Sequence, residues 1–150
     1  MRYAPILNWL RLLVALLAFG TAGRSVAADE FLEPDQAFKV TARALDERTI
    51  EVSFKVAPGY YLYREQLKFE ASGATLGAPV LPPGKLKFDE TFRKSVETYR
   101  DLLRVAVPVE RAEAAFRLIV SSQGCADAGL CYPPITKVLS PGHTAPPAPS

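Results

Sequence analysis

Two cysteines stand close together in this 150-residue chain, within Gln123-Gly124-Cys125-Ala126-Asp127-Ala128-Gly129-Leu130-Cys131-Tyr132-Pro133-Pro134. Paired thiols form, break and exchange disulfides. An alternating run, Phe116 to Val120, precedes them, and two glycines punctuate the segment. That pattern predicts a strand end, a tight connection and a return, with the sulfurs able to face each other across a hairpin. A ring of about seven residues is a weak staple, contributing roughly 2 kcal/mol against nearly 5 for a ring of about a hundred. Two readings therefore stand side by side: a redox pair, and a structural clip within a non-catalytic binding sandwich.

Other chemistries lack their reactants. The single histidine, His143, lies in a proline-rich tail, so neither a Ser-His-Asp nor a Cys-His arrangement is available. Two cysteines without a core histidine do not make the usual zinc set, and soft ligands for copper are too few. There is no phosphate-binding glycine loop and no dinucleotide fingerprint. We expect no cofactor and no metal. Thiol–disulfide exchange needs only an accessible thiolate, a partner sulfur and control of access.

Control of access points to Phe92, an aromatic in the charged stretch Lys87-Phe88-Asp89-Glu90-Thr91-Phe92-Arg93-Lys94-Ser95. It reads either as a lid over the sulfurs or, like Phe88, as a plug folded into the core. Asp89, Glu90 and Asp127 are candidate acidic neighbours that would disfavour a thiolate, or else ordinary turn and surface charges. Tyr60, Tyr61 and Tyr63 read as sheet residues that could frame a site. Tyr132 and the prolines after it hold the chain leaving Cys131 extended.

The elements that must position these residues are strands. Phe38, Val40, Ala42 and Ala44 alternate with polar residues, Asp46-Glu47-Arg48 turns, and Ile50, Val52, Phe54 and Val56 alternate back. Tyr60 to Tyr63 suits a strand, and Leu67 to Glu70 a short one. Prolines 79, 82 and 83 with Gly84 mark a long loop. Leu103 to Val109 and Phe116 to Val120 alternate, and Ile135 to Leu139 is a closing strand. Arg111 to Phe116 is the one helix candidate. The fold class is all-β, a two-sheet immunoglobulin-like antiparallel sandwich with a closed barrel as the alternative.

Residues 1–28 read as an export signal. Arg2 and Arg11 supply charge, Leu10 to Phe19 the apolar stretch, and Val26-Ala27-Ala28 the cleavage site. The whole chain carries 18 basic and 16 acidic residues; without Arg2, Arg11 and Arg24 the balance is 15 to 16, a net of −1. That leaves no basic face for nucleic acid. Residues 29–140 form the expected folded domain, a monomer in a compartment where disulfides persist. Residues 141–150 form a proline-rich tail or linker.

The cysteine segment closely resembles the active-site hairpin of the amino-terminal periplasmic domain of DsbD-type thiol:disulfide interchange proteins. Gly59-Tyr60-Tyr61-Leu62-Tyr63-Arg64 resembles that domain's tyrosine-rich strand. Asp89-Glu90 with Phe92, followed by Glu97-Thr98-Tyr99-Arg100-Asp101, resembles its cap loop and next strand, although the cap segment here is slightly longer than the family pattern. The resemblance spans Phe31 to Ser140. It implies an immunoglobulin-like sandwich with the cysteines on adjacent strands, cycling between dithiol and disulfide. It implies that Cys131 forms mixed disulfides and Cys125 resolves them. Phe92, with Asp89 and Glu90, would form the lid, and Tyr60, Tyr61, Tyr63, Asp127 and Tyr132 would frame the site. The implied activity is protein-disulfide reduction in the periplasm. Electrons would come from a membrane-linked thioredoxin-like donor and pass to periplasmic thioredoxin-fold partners: disulfide isomerases and cytochrome c maturation thioredoxins. In that family the chain continues into a membrane domain. This chain is expected to be either a fragment or a stand-alone first domain.

Overall fold

Alternating apolar residues account for the first hairpin. In a computed structural model, which describes residues 31–90 and 92–142, β1 (Phe38–Asp46) pairs antiparallel with β2 (Thr49–Val56). Ile50, Val52, Phe54 and Val56 point inward and are buried, while the residues between them are half-buried or exposed. Asp46 Oδ1 accepts from the Arg48 N–H at 2.7 Å, closing the polar turn. The expected export signal over 1–28 and the tail with His143 lie outside the described residues.

A short helix, α1 (Pro34–Ala37), leads into β1. β3 (Tyr60–Tyr63), β4 (Lys68–Leu76), β5 (Lys85–Asp89), β6 (Lys94–Tyr99), β7 (Leu102–Ser122), β8 (Gly124–Ala126) and β9 (Ile135–Leu139) follow. One sheet has the order β1-β2-β7-β4 with β9 also on β7; the other has the order β5-β6-β3-β8. Every named pairing is antiparallel. The result is the immunoglobulin-like sandwich, its core built from Phe38, Phe54, Leu62, Leu103, Leu118 and their neighbours. No helix among the described residues is long and apolar enough to cross a membrane.

Two local expectations are corrected. Arg111 to Phe116 is not a helix but the middle of β7, a single 21-residue strand rather than two. Its first part pairs with β2, and its second with β4 and β9. Local helical preference is overridden by these pairings. Gly73 (φ 85°) sits where the β4 register jumps, so four β7 residues, 113–116, stand opposite this one; Phe116 among them is buried in the core. The stretch Lys85–Asp89, assigned to no strand from the sequence, is an edge strand. It inverts the usual alternation: Leu86 and Phe88 are exposed, while Asp89 is buried.

Candidate functional site

β3 is buried along its whole length, and the two-residue period of a strand divides its side chains. Tyr60 and Leu62 join the sandwich core; Tyr61 and Tyr63 face outward into a small cluster with Val96 and Cys125. β8 lies on β3 with Cys125 opposite Tyr61. That approach requires Gly124. A Cβ there would stand 2.4 Å from the Tyr61 carbonyl oxygen and 2.6 Å from the Phe38 ring.

The chain then turns. Asp127 N–H donates to the Gly59 carbonyl, Ala126 N–H to Leu130, and Gly129 takes φ 105°. Cys131 returns opposite Cys125 as a single antiparallel bridge. The two form a disulfide, with Cα atoms 4.0 Å apart. The sulfurs are unequal: Cys125 is 0% exposed, whereas Cys131 is exposed.

Tyr63 ties the buried sulfur to a buried carboxyl group. Its hydroxyl lies 3.2 Å from Cys125 Sγ and donates to Asp89 Oδ2 at 2.6 Å. Burial, then the Asp89 hydrogen bond, raises the Tyr63 pKa far above the ordinary phenol range, so it remains protonated. Asp89, 3% exposed, also accepts the Phe92 N–H at 3.0 Å, which fixes the turn between β5 and β6. Arg93 in that turn has φ 51°, an uncommon backbone for a non-glycine residue.

The Phe92 ring stands edge-on to Tyr63, 6.1 Å between centroids, and is 54% exposed. A cavity of about 80 Å³ remains among Tyr63, Phe92, Val96 and their neighbours. Neither Phe92 nor Phe88 is a core plug, for both are more than half exposed.

The other expected site residues divide. Tyr61 lies beside the disulfide. Tyr60 and Tyr132 lie on the opposite, inner face, forming an aromatic trio with Phe38. Burial, then the neighbouring Tyr60 hydroxyl, pushes Tyr132 up to about 12. Glu90 is exposed in the turn that follows β5. Asp127 does not confront the sulfurs with a free charge. Arg100 grips it in a two-pronged ion pair at 2.7 and 2.8 Å and holds its carboxyl below the usual range.

Sequence reasoning missed the cations. Arg100 and Lys87 both lie over the Tyr61 ring, 5.2 and 4.9 Å from its centroid. The period of β5 aligns Lys87 with Asp89, but only the pairing Lys87↔Val96 reveals that this face covers Tyr61. Among the described residues, no group of three or more His, Cys, Asp or Glu gathers as a metal site.

The family described as "Thiol:disulfide interchange protein DsbD, N-terminal" matches residues 28–142. The chain belongs to this family. It is 50% identical over 136 residues to the thiol:disulfide interchange protein DsbD of Ralstonia nicotianae, covering 89% of this chain and 22% of that protein. It is 42% identical over 127 residues to DsbD 2 of Pseudomonas aeruginosa, covering 85% and 21%. The chain thus spans about a fifth of the length of these curated relatives. Among solved structures, the reduced DsbD N-terminal domain of Neisseria meningitidis superposes with TM-score 0.66 at 32% identity, over 73% of this chain and 88% of that one. A complex between the DsbD and PilB N-terminal domains of the same organism gives 0.63 at 31% identity, over 75% and 88%.

Proposed function

We propose that this DsbD N-terminal domain is a periplasmic thiol–disulfide relay in which Cys131 meets the partner and Cys125 resolves. The inequality of the two sulfurs carries the reading: one is exposed and the other fully buried against Tyr63. In the reduced domain, the Cys131 thiolate attacks a partner disulfide and releases one partner thiolate. The Cys125 thiolate then attacks Cys131 Sγ, closes the internal disulfide and releases the second. Two electrons pass to the partner, and the domain is left oxidised. A dithiol donor restores it by the reverse pair of exchanges.

Cys125 must lose its proton before it can attack. With Tyr63 donating to Asp89, the phenol oxygen is left as acceptor toward a Cys125 S–H. The chain Cys125–Tyr63–Asp89 is a route by which that proton leaves without water. Phe92, hinged at Asp89, swings away when a partner docks. Disulfide isomerases and cytochrome c maturation thioredoxins are the acceptors, and a membrane-linked thioredoxin-like protein is the donor. The meningococcal complex of a DsbD N-terminal domain with a PilB N-terminal domain supports recognition of a separate folded partner.

The test uses the reduced Cys125→Ser chain with an oxidised periplasmic isomerase. A trapped mixed disulfide through Cys131 is expected. Its absence removes the relay.

A further inference from the structure

Opening the Cys125–Cys131 bond removes the cross-link between the two limbs of the hairpin and leaves them joined through the turn alone, so non-covalent contacts must keep the two thiols together for closure. The limb's main-chain ties are few. Ala126 N–H donates to Leu130, Tyr132 N–H donates to the Gly124 carbonyl, and Gln123 Nε2 donates to the Tyr132 carbonyl at 3.1 Å. Beyond Tyr132, Pro133 and Pro134 have no N–H to give, and regular pairing resumes only in β9.

Tyr132 itself is anchored elsewhere. Its hydroxyl donates to the Leu32 carbonyl at 2.5 Å, a hundred residues away in sequence. The Leu32 N–H donates to the Tyr60 hydroxyl at 2.9 Å. One peptide group on each side of Leu32 is thus clamped by the two inner tyrosines, next to Cys131 in the chain and opposite Ala126 in the sheet. Two residues later the chain enters α1, where Ala37 is 0% exposed and Asp35 pairs with Lys137 of β9.

We propose that the Leu32 strap, gripping Tyr132 and Tyr60, is a positioning device that keeps Cys131 beside Cys125 while the disulfide is open. This rests on the exchange reading above. In the closed form the covalent bond already holds the limb. In the dithiol form the strap restricts it and raises the effective concentration of one thiol at the other. The strap therefore favours closure, and Tyr132 acts through Cys131 rather than on the partner.

The experiment equilibrates the full chain with reduced and oxidised glutathione. The dithiol gives two electrons and two protons to one oxidised glutathione, the internal S–S bond forms, and two glutathione thiols leave. Tyr132→Phe keeps the ring and removes the donor. The strap bond is fully made in the disulfide form and only partly in the dithiol form, so its loss weighs more on the disulfide and lowers the closure constant about threefold to tenfold, which is about 15–30 mV toward a more oxidising potential. Tyr60→Phe shifts it the same way. A merely structural loss weakens both redox states equally and leaves the constant unchanged. By reciprocity, the Leu32 amide of the unsubstituted chain exchanges with solvent faster in the dithiol than in the disulfide form. That measurement decides the matter even where Tyr132→Phe does not fold. An unchanged closure constant in folded Tyr132→Phe, or equal Leu32 protection in both states, overturns the strap alone. An unsubstituted pair that never equilibrates with glutathione overturns the exchange reading and the strap together.

Discussion

On the inner face of β3, Tyr60 and Leu62 meet Phe38, Tyr99 and the rest of the sandwich core. On the outer face, Tyr61 and Tyr63 meet Val96 and Cys125. Both faces exclude water, but with different materials. The inner face uses aliphatic and aromatic packing, and its stability scales with the apolar area removed from water. The outer face is a thin layer with polar groups inside it: a phenol, a carboxyl group and a sulfur, each satisfied by the next. A buried polar set of this kind is costly to disturb and adds little net stability when intact. The contrast teaches that one short strand can give one face to the apolar core and the other to a buried polar set around a sulfur.

The strongest way to break that contrast is on the inner face. Leu62→Ala is expected to cost about 2–5 kcal/mol in denaturant unfolding. It should do so in both redox states, leaving the reduction potential unmoved; a shifted potential would mean that Leu62, which has no bond to the Leu32 strap, is nonetheless coupled to the sulfurs. Next, opening the disulfide is expected to cost about 2 kcal/mol, since its ring is small. The reduced chain should remain folded by circular dichroism, with a potential above about −300 mV.

Tyr63→Phe sharpens the contrast from the outer side. It removes the phenol between Cys125 and Asp89. The expected result is a loss of about 1 kcal/mol in stability and at least about a tenfold fall in the single-turnover rate of resolution. An unchanged rate would deny the proton route. The smallest effect belongs to the rim. Asp127 and Arg100 are both partly exposed, so Asp127→Asn should cost less than about 1 kcal/mol near neutral pH. Asp127 titrates lower in the folded chain than unfolded. Its contribution is therefore complete above its unfolded value and is lost as pH falls through the lowered one. Unfolding curves of the two proteins should converge in acid.

Strands with one buried face were legible in the sequence. Ile50 to Val56 and Leu103 to Val109 declare themselves by strict alternation. β5 did not: its five residues alternate, but they follow a proline-rich stretch, and the face that is covered carries Lys87 and Asp89 rather than Leu86 and Phe88. Arg111 to Phe116 misled because its composition suits a helix, while its place was decided by β4. The cysteine pair was visible by isolation and by family pattern. That Tyr61 and Tyr63 share a face follows from the strand period, but which face holds the sulfur depends on β8 pairing across β3. Arg100 gripping Asp127, and Leu32 beneath Tyr132, join residues 27 and 100 positions apart, and no local signal announces either.

The length of β7 bears on how the chain reaches this state. Its 21 residues take partners from β2 and β4, far upstream, and from β9, downstream. The large sheet is therefore complete only when distant parts of the chain have found one another. Such non-local pairing places folding on the millisecond-to-second scale typical of all-β domains rather than the microseconds of helical bundles.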